Sequence, residues 1–238
     1  MTRNEVHLAG GRTTTGVVRI GDTVRRPPAL NVEFVRALLK HLERSGFDGA
    51  PRYLGADEHD REILSDVPRQ VPAELGHHDD ATLQTAACLV RAYHDATAPL
   101  FETPSGRIAG IEVACHNDLS PCNTVFRDGR PVALIDFDAA APGSRAFDLG
   151  YAAWLWLDLG NAEYAAEEQR RRLGVFLAAY GTGLKKSGVI AATIERQSIL
   201  VAEGAHTGNA TLRDWAEACK AWTVRHMTLP SDAEPGNR

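Results

Sequence analysis

Two segments in fixed order constrain this chain more than anything else in it: His116-Asn117-Asp118-Leu119-Ser120-Pro121-Cys122-Asn123, then Leu134-Ile135-Asp136-Phe137-Asp138. Asp118 and Asn123 stand five positions apart, so one tight loop presents both to the same pocket. Between Asn123 and Asp136 lie two short apolar runs around an Asp-Gly turn, the pattern of a β-hairpin. A hairpin of that length returns the chain and brings Asp136 beside the loop. An amide carbonyl and a carboxylate, Asn123 and Asp136, are oxygen ligands that suit a hard cation such as Mg²⁺. A second carboxylate, Asp118, can accept the proton of an attacking alcohol. Together they are the groups needed to move the γ-phosphate of ATP or GTP onto a hydroxyl.

Each residue also has an ordinary use. A lone Asp in a loop is usually a turn or cap residue, and a lone His is more often a satisfied core residue than a catalyst. His116 keeps that ordinary reading, as a brace for the loop. Asp118, Asn123 and Asp136 agree in order and spacing, which an accidental match would not be expected to give.

On these residues the chain resembles the aminoglycoside phosphotransferase and choline kinase superfamily. There the loop commonly reads His-Gly-Asp-x-x-x-x-Asn and the strand ends in Ile-Asp-Phe or Ile-Asp-Trp. A further Asp follows a Gly- or Pro-bearing turn at the start of a helix, and Pro142-Gly143 followed by Phe147-Asp148-Leu149 supplies it here. The resemblance implies that Asp148 is structural, tying the catalytic region together or capping a helix. Asn117 replaces the usual Gly. The match is close over residues 113–155 and schematic on either side. It implies a protein-kinase-like α+β fold, with a small β-rich N-terminal lobe (residues 1–67) and a larger, mainly helical catalytic and acceptor-binding lobe (68–229).

Composition narrows the partners. A chain of 238 residues, 44% hydrophobic, can bury a substantial core in one or two domains. A net charge of −5 and a pI near 6.0 give no reason to expect nucleic acid as a partner. The N-terminal residues have no apolar signal core and no run approaches a membrane span, so a cytoplasmic location is expected. Cys88, Cys115, Cys122 and Cys219 are scattered, which reads as reduced, mostly buried thiols. Cys115, His116 and Cys122 lack a fourth ligand at zinc-site spacing.

The first 70 residues predict strand, Gly turn, strand over His7–Ile20, then a third strand Thr23–Arg26 stopped by Pro27-Pro28. In kinase-fold proteins the Gly turn covers the nucleotide phosphates and a Lys on the third strand grips them. Gly10 and Gly11 are the candidates for the turn. The Lys is missing. Arg26 is the nearest substitute, on the same strand face as Val24, with a solvated edge-strand charge as the other reading of Arg25 and Arg26. A helix over 31–44 follows, with Asn31 as its N-cap and Glu33 too early in it to be assigned as partner of that cation. Two more strands, near 52–55 and 62–65, lead to Asp66-Val67-Pro68, which the resemblance makes the inter-lobe hinge that holds the adenine edge.

Beyond the hinge, helices are expected over 83–94, 147–159, 161–180, 187–204 and 209–227, with Leu212, Trp215, Cys219, Trp222 and His226 as the core stripe of the last. His94 reads as a buried hydrogen-bonding residue. The tail 230–238 reads as disordered. The acceptor is expected to be a small hydroxylated, cationic molecule such as an aminoglycoside-like antibiotic. Candidate carboxylates for it are Asp138, Asp158, Glu163, Glu167, Glu168, Glu195, Glu203 and Asp214, and Asp138 can equally orient the metal loop. Two alternatives stand beside this reading. The missing Lys fits a kinase-like binding or immunity protein with weak or no catalysis. Asp136-Phe137-Asp138 also fits, less well, the nucleophile pair of a metal-dependent phosphohydrolase of the haloacid dehalogenase kind. No Gly-x-x-x-x-Gly-Lys-[Ser/Thr] loop is present, which disfavours a P-loop kinase.

Overall fold

The computed structural model of the protein describes residues 5–8, 16–68, 70–104, 106–181 and 183–228. Gly10, Gly11 and the tail 230–238 lie outside the described residues.

Strands β1 (Val6–His7), β2 (Val18–Ile20), β3 (Thr23–Arg26), β4 (Tyr53–Ala56) and β5 (Glu62–Ser65) form an antiparallel sheet in the order β1-β2-β3-β5-β4. Only Gly21-Asp22 joins β2 to β3, and Gly21 has the positive φ (+65°) that so tight a hairpin needs. Because β5 inserts beside it, β3 lies inside the sheet. The solvated-edge reading of Arg26 therefore fails: its side chain points with Val24 into the interior and is 8% exposed. Arg25 points the other way, donating to Thr23 Oγ1 and lying 3.8 Å from Asp57.

Helix α1 (Val32–Arg44) buries Val35, Leu38, Leu39 and Leu42 in one core cluster with Val24 and Leu64 of the sheet. Each such side chain contributes roughly 1.5–3 kcal/mol over leaving it exposed. Asn31 precedes the helix but does not cap it with its side chain. Its Nδ2 instead donates to the Ala140 carbonyl at 2.7 Å, tying the start of α1 to the loop after Asp136.

Helix α2 (Asp80–Thr97) is capped by Asp79, whose Oδ1 accepts from the Thr82 amide. A short pair, β6 (Glu102–Thr103) and β7 (Gly106–Arg107), precedes β8 (Val113–Cys115). The hairpin β9 (Thr124–Arg127) and β10 (Arg130–Leu134) turns at Asp128-Gly129, both with positive φ, as a type I′ turn requires. At its open end the Ile135 amide donates to the Asn123 carbonyl, which closes Asp136 against the loop. Strand β11 (Ala141–Gly143) then pairs back onto β8.

Helix α3 (Arg145–Leu157), capped by Ser144, is apolar almost all round and runs through the core. It lies against α5 (Lys186–Thr207) at Gly150, where Thr193 Oγ1 donates to the Gly150 carbonyl at 2.9 Å. A Cβ on Gly150 would sit 2.7 Å from the backbone of Ala192 and Thr193. Gly150→Ala should gain roughly 1 kcal/mol in helix propensity, but overpacking costs roughly 1–3 kcal/mol and backbone cannot swing aside. The overpacking is expected to win, and a fall in Tm relative to wild type checks it.

Helices α4 (Ala166–Tyr180) and α6 (Ala210–Met227) complete the helical part. Two expectations are corrected here. The α4 helix starts at Ala166 and not at Asn161, because Asp158 ends α3 in a left-handed turn that the Asn161 side chain braces. In α6 the buried residues are Ala216, Cys219, Thr223 and Met227; of the expected stripe only Cys219 is buried. Trp215 is 39% exposed and stacks on Trp154, and Trp222 covers His226. The thiols also differ from expectation: Cys115 and Cys219 are buried, Cys122 is half-buried and Cys88 is exposed. Among the described residues no helix is long and apolar enough to cross a membrane.

Candidate active site

The loop after β8 is held from beneath by one carboxylate. Asp148, in the first turn of α3 and fully buried, accepts the His116 amide (2.8 Å) and the His94 ring (3.0 Å) on Oδ2, and the Asn117 amide (2.8 Å) on Oδ1. Burial opposes its charge, yet the His94 hydrogen bond and the neighbouring His116 hold the carboxyl below its ordinary value. Behind it a chain of side chains holds the His94 ring in place. Arg145 donates to the Tyr180 hydroxyl, which lies 2.8 Å from His94 Nδ1, while His94 Nε2 faces Asp148. Asp148 thus ties the loop together; the helix cap is Ser144.

Asn117 has φ +64°, a left-handed conformation that Gly takes freely and that Asn tolerates better than most other side chains. Its Nδ2 donates to the Ala139 carbonyl, and its own carbonyl accepts from Arg196 Nη2 at 2.6 Å. The Arg196 guanidinium lies between the rings of Phe147 and Tyr151, 4.7 and 4.4 Å from their centroids. Helix α5 thereby clamps the residue immediately before Asp118.

Asn123 Nδ2 donates to Asp118 Oδ2 at 2.7 Å and to the Asp118 carbonyl at 3.1 Å. The loop residues are thus locked to one another, and Asn123 Oδ1 is left as an acceptor. The Tyr151 hydroxyl faces the same carboxylate, and burial followed by the negative charge of Asp118 pushes its pKa up. His116 Nε2 contacts the Ile135 carbonyl and its ring packs on Phe137, bracing the turn that carries Asp136. Asp136 adopts a left-handed φ of +64°, and its buried Oδ1 makes no hydrogen bond among the described residues. A carboxylate oxygen without a hydrogen bond and an amide oxygen left as an acceptor are ligands that suit Mg²⁺, which takes few protein ligands and leaves the rest of its shell to water and phosphate.

Arg26 enters this site from the sheet. It forms an ion pair with Asp138 and its Nη1 lies 3.6 Å from Asp136 Oδ1. The carboxylate behind it is Glu62 of β5, 2% exposed and 3.8 Å from Arg26 Nε. Glu33 is remote from this pair, 87% exposed at its side chain and bound to Arg36. Asp66 pairs with Arg19 at 3.6 Å and its amide donates to the Asp22 carbonyl, so that amide is spent within the sheet. Val67 follows, half-buried. The structure therefore gathers Asp118, Asn123, Asp136, Asp138, His116, Asp148 and Arg26. Glu62, Tyr151 and Arg196 join them without having been singled out in the sequence, and Asn31, expected only as a helix cap, reaches the same region through Ala140.

The sequence profile of the phosphotransferase enzyme family (APH) matches residues 52–185, more than half of the chain. This chain belongs to that family. It is similar to the trifolitoxin immunity protein of Rhizobium leguminosarum bv. trifolii, 34% identical over 184 residues that span 72% of this chain and 67% of that protein. Its fold is that of the microcompartment-associated aminopropanol kinase (TM-score 0.64, 15% identity, covering 94% of this chain and 92% of that one). It is also that of aminoglycoside 2'-phosphotransferase-IIIa in its GDP complex (TM-score 0.55, 13% identity, 91% of each chain). The sheet of residues 6–65 and the helices that follow thus form a kinase-like α+β fold, and this phosphotransferase family member carries Arg26 where a third-strand Lys was expected.

Proposed function

We propose that the protein transfers the γ-phosphate of ATP or GTP to a hydroxyl of a small polar molecule, an aminoglycoside-like antibiotic or a related metabolite. The observation that carries this reading is the Asp118–Asn123 hydrogen bond in one loop, with Asp136, whose Oδ1 makes no hydrogen bond and pairs only with the Arg26 guanidinium at 3.6 Å among the described residues, closed against that loop by the Ile135–Asn123 backbone bond. Asn123 orients Asp118 so that its carboxylate accepts the proton of the attacking hydroxyl. The new bond joins the acceptor oxygen to phosphorus, and the bond from phosphorus to the β-phosphate oxygen breaks. Asn123 Oδ1 and Asp136 are the residues that would hold Mg²⁺, which supplies charge neutralisation to the phosphates. Arg26 offers its two Nη groups to phosphate oxygens, a role its planar fork suits although it is not equivalent to Lys. His116 and Asp148 keep the loop in place, and Asp66 and Val67 stand where a hinge would meet the base. Gly10 and Gly11 remain the candidates for covering the phosphates. In this reading residues 1–67 serve the nucleotide and 68–229 the chemistry and the acceptor, in the cytoplasm.

The test is nucleotide consumption with Mg²⁺ across a panel of aminoglycosides, other hydroxylated antibiotics and amino-alcohols. Acceptor-dependent turnover is expected for one class and names it. One observation favours a second reading: the relative with 34% identity is an immunity protein. In that reading the fold protects by binding, and Mg²⁺-dependent nucleotide binding without consumption on any acceptor distinguishes it.

A further inference from the structure

In the register of the sheet, Arg26 of β3 stands directly across from Glu62 of β5. Both side chains are buried, and Glu62 is shared between two guanidinium groups. Its Oε1 accepts from Arg36 Nε of α1 at 3.1 Å, while its Oε2 lies 3.8 Å from Arg26 Nε. The Nη groups of Arg26 point the opposite way, toward Asp136 and Asp138. A carboxylate this deeply buried persists only where cations compensate it. Arg26 thus has Glu62 at ion-pair distance along its Nε edge and turns its other edge toward Asp136 and Asp138.

We propose that Glu62 is a positioning residue for nucleotide binding: it fixes the Nε edge of Arg26 so that the Nη fork faces the phosphates. The inference deepens the phosphotransferase reading and rests on Arg26 being the phosphate-gripping cation. Here the positioning carboxylate comes from the neighbouring strand, whereas α1 contributes an arginine, Arg36, to the same carboxylate. Cross-strand register then sets the geometry of the pair, and movement of α1 is not needed to form it.

The experiment is calorimetric titration of the full chain with ATP and with GTP in Mg²⁺, for wild type, Glu62→Gln, Arg26→Gln, the double variant and Arg36→Gln, with thermal melts to establish folding. Glu62→Gln is expected to raise the nucleotide Kd about tenfold when Arg26 is present and to add less than about twofold in the Arg26→Gln background, since residues acting as one unit are non-additive. Arg36→Gln, which removes the other cation on Glu62, should raise the Kd less than Glu62→Gln does. If Glu62→Gln does not fold, Glu62→Asp carries the same cycle, with a smaller loss expected. Additive effects, or an equal loss in Arg36→Gln, overturn the proposal by making Glu62 a support for α1 alone. If Arg26→Gln binds nucleotide like wild type, the proposal falls and the phosphotransferase reading stands. If wild type binds neither nucleotide, both fall.

Discussion

Asp118→Ala should lower acceptor-dependent phosphate transfer by about 10²–10⁴-fold, the usual worth of a positioned general base, while leaving nucleotide affinity close to that of the wild type. The division follows from the contacts. Asp118 binds Asn123 through one carboxylate oxygen and faces Tyr151, and among the described residues no hydrogen bond or ion pair joins it to Arg26 or the sheet. Its loss removes a group that acts on the acceptor hydroxyl and spares those assigned to the phosphates. The fall should therefore appear in kcat and kcat/KM together, the signature of an interaction made in the transition state. Single-turnover kinetics beside a nucleotide titration check it. A folded Asp118→Ala protein that no longer binds nucleotide would contradict the role.

Asp148→Asn should destabilise the fold by about 3–5 kcal/mol, the cost of breaking a buried charge pair on one side. The carboxylate accepts three donors, from His94, His116 and Asn117, and an amide can meet them only by turning its own NH₂ toward one. Chemical denaturation of the variant measures the loss. The same residue sets a pH dependence. Its folded pKa is depressed below the ordinary 3.8, so the unfolded chain binds the proton first. The stability contributed by its charge is complete above that ordinary value and is lost as pH falls through the lower folded pKa. Wild type should lose stability on acidification in this window, and Asp148→Asn should show a shallower slope. An unchanged slope would mean that Asp148 does not carry the charge in the folded state.

The site was legible where its residues lie close in the chain. Asp118, Asn123 and Asp136 span a short hairpin segment, so spacing alone brings them together, and alternation along Thr23–Arg26 places Arg26 on the inward face with Val24. Glu62 was not legible, because its partnership with Arg26 depends on β5 inserting between β3 and β4, a choice of strand order that no local pattern encodes. Arg196 reaches Asn117 from a helix 79 positions away, and nothing in its surroundings marks it. The α6 stripe misled for a different reason. Its tryptophans are the largest apolar residues, but α6 lies close on α5, where a Cβ on Gly204 would meet the Arg213 backbone at 2.6 Å. Small residues such as Ala216, Cys219 and Thr223 therefore take the inner face, and the tryptophans lie at its margins. Asn117, a departure from the family pattern in sequence, sits in the left-handed region that Asn tolerates as Gly does.

The most direct test of the central claim is titration of the wild-type protein with ATP and with GTP, each with and without Mg²⁺. The account predicts saturable binding of at least one of them that tightens with Mg²⁺, because Asp136 Oδ1 and Asn123 Oδ1 are oxygen ligands suited to it. Absence of binding to both nucleotides in the presence of Mg²⁺ would contradict it.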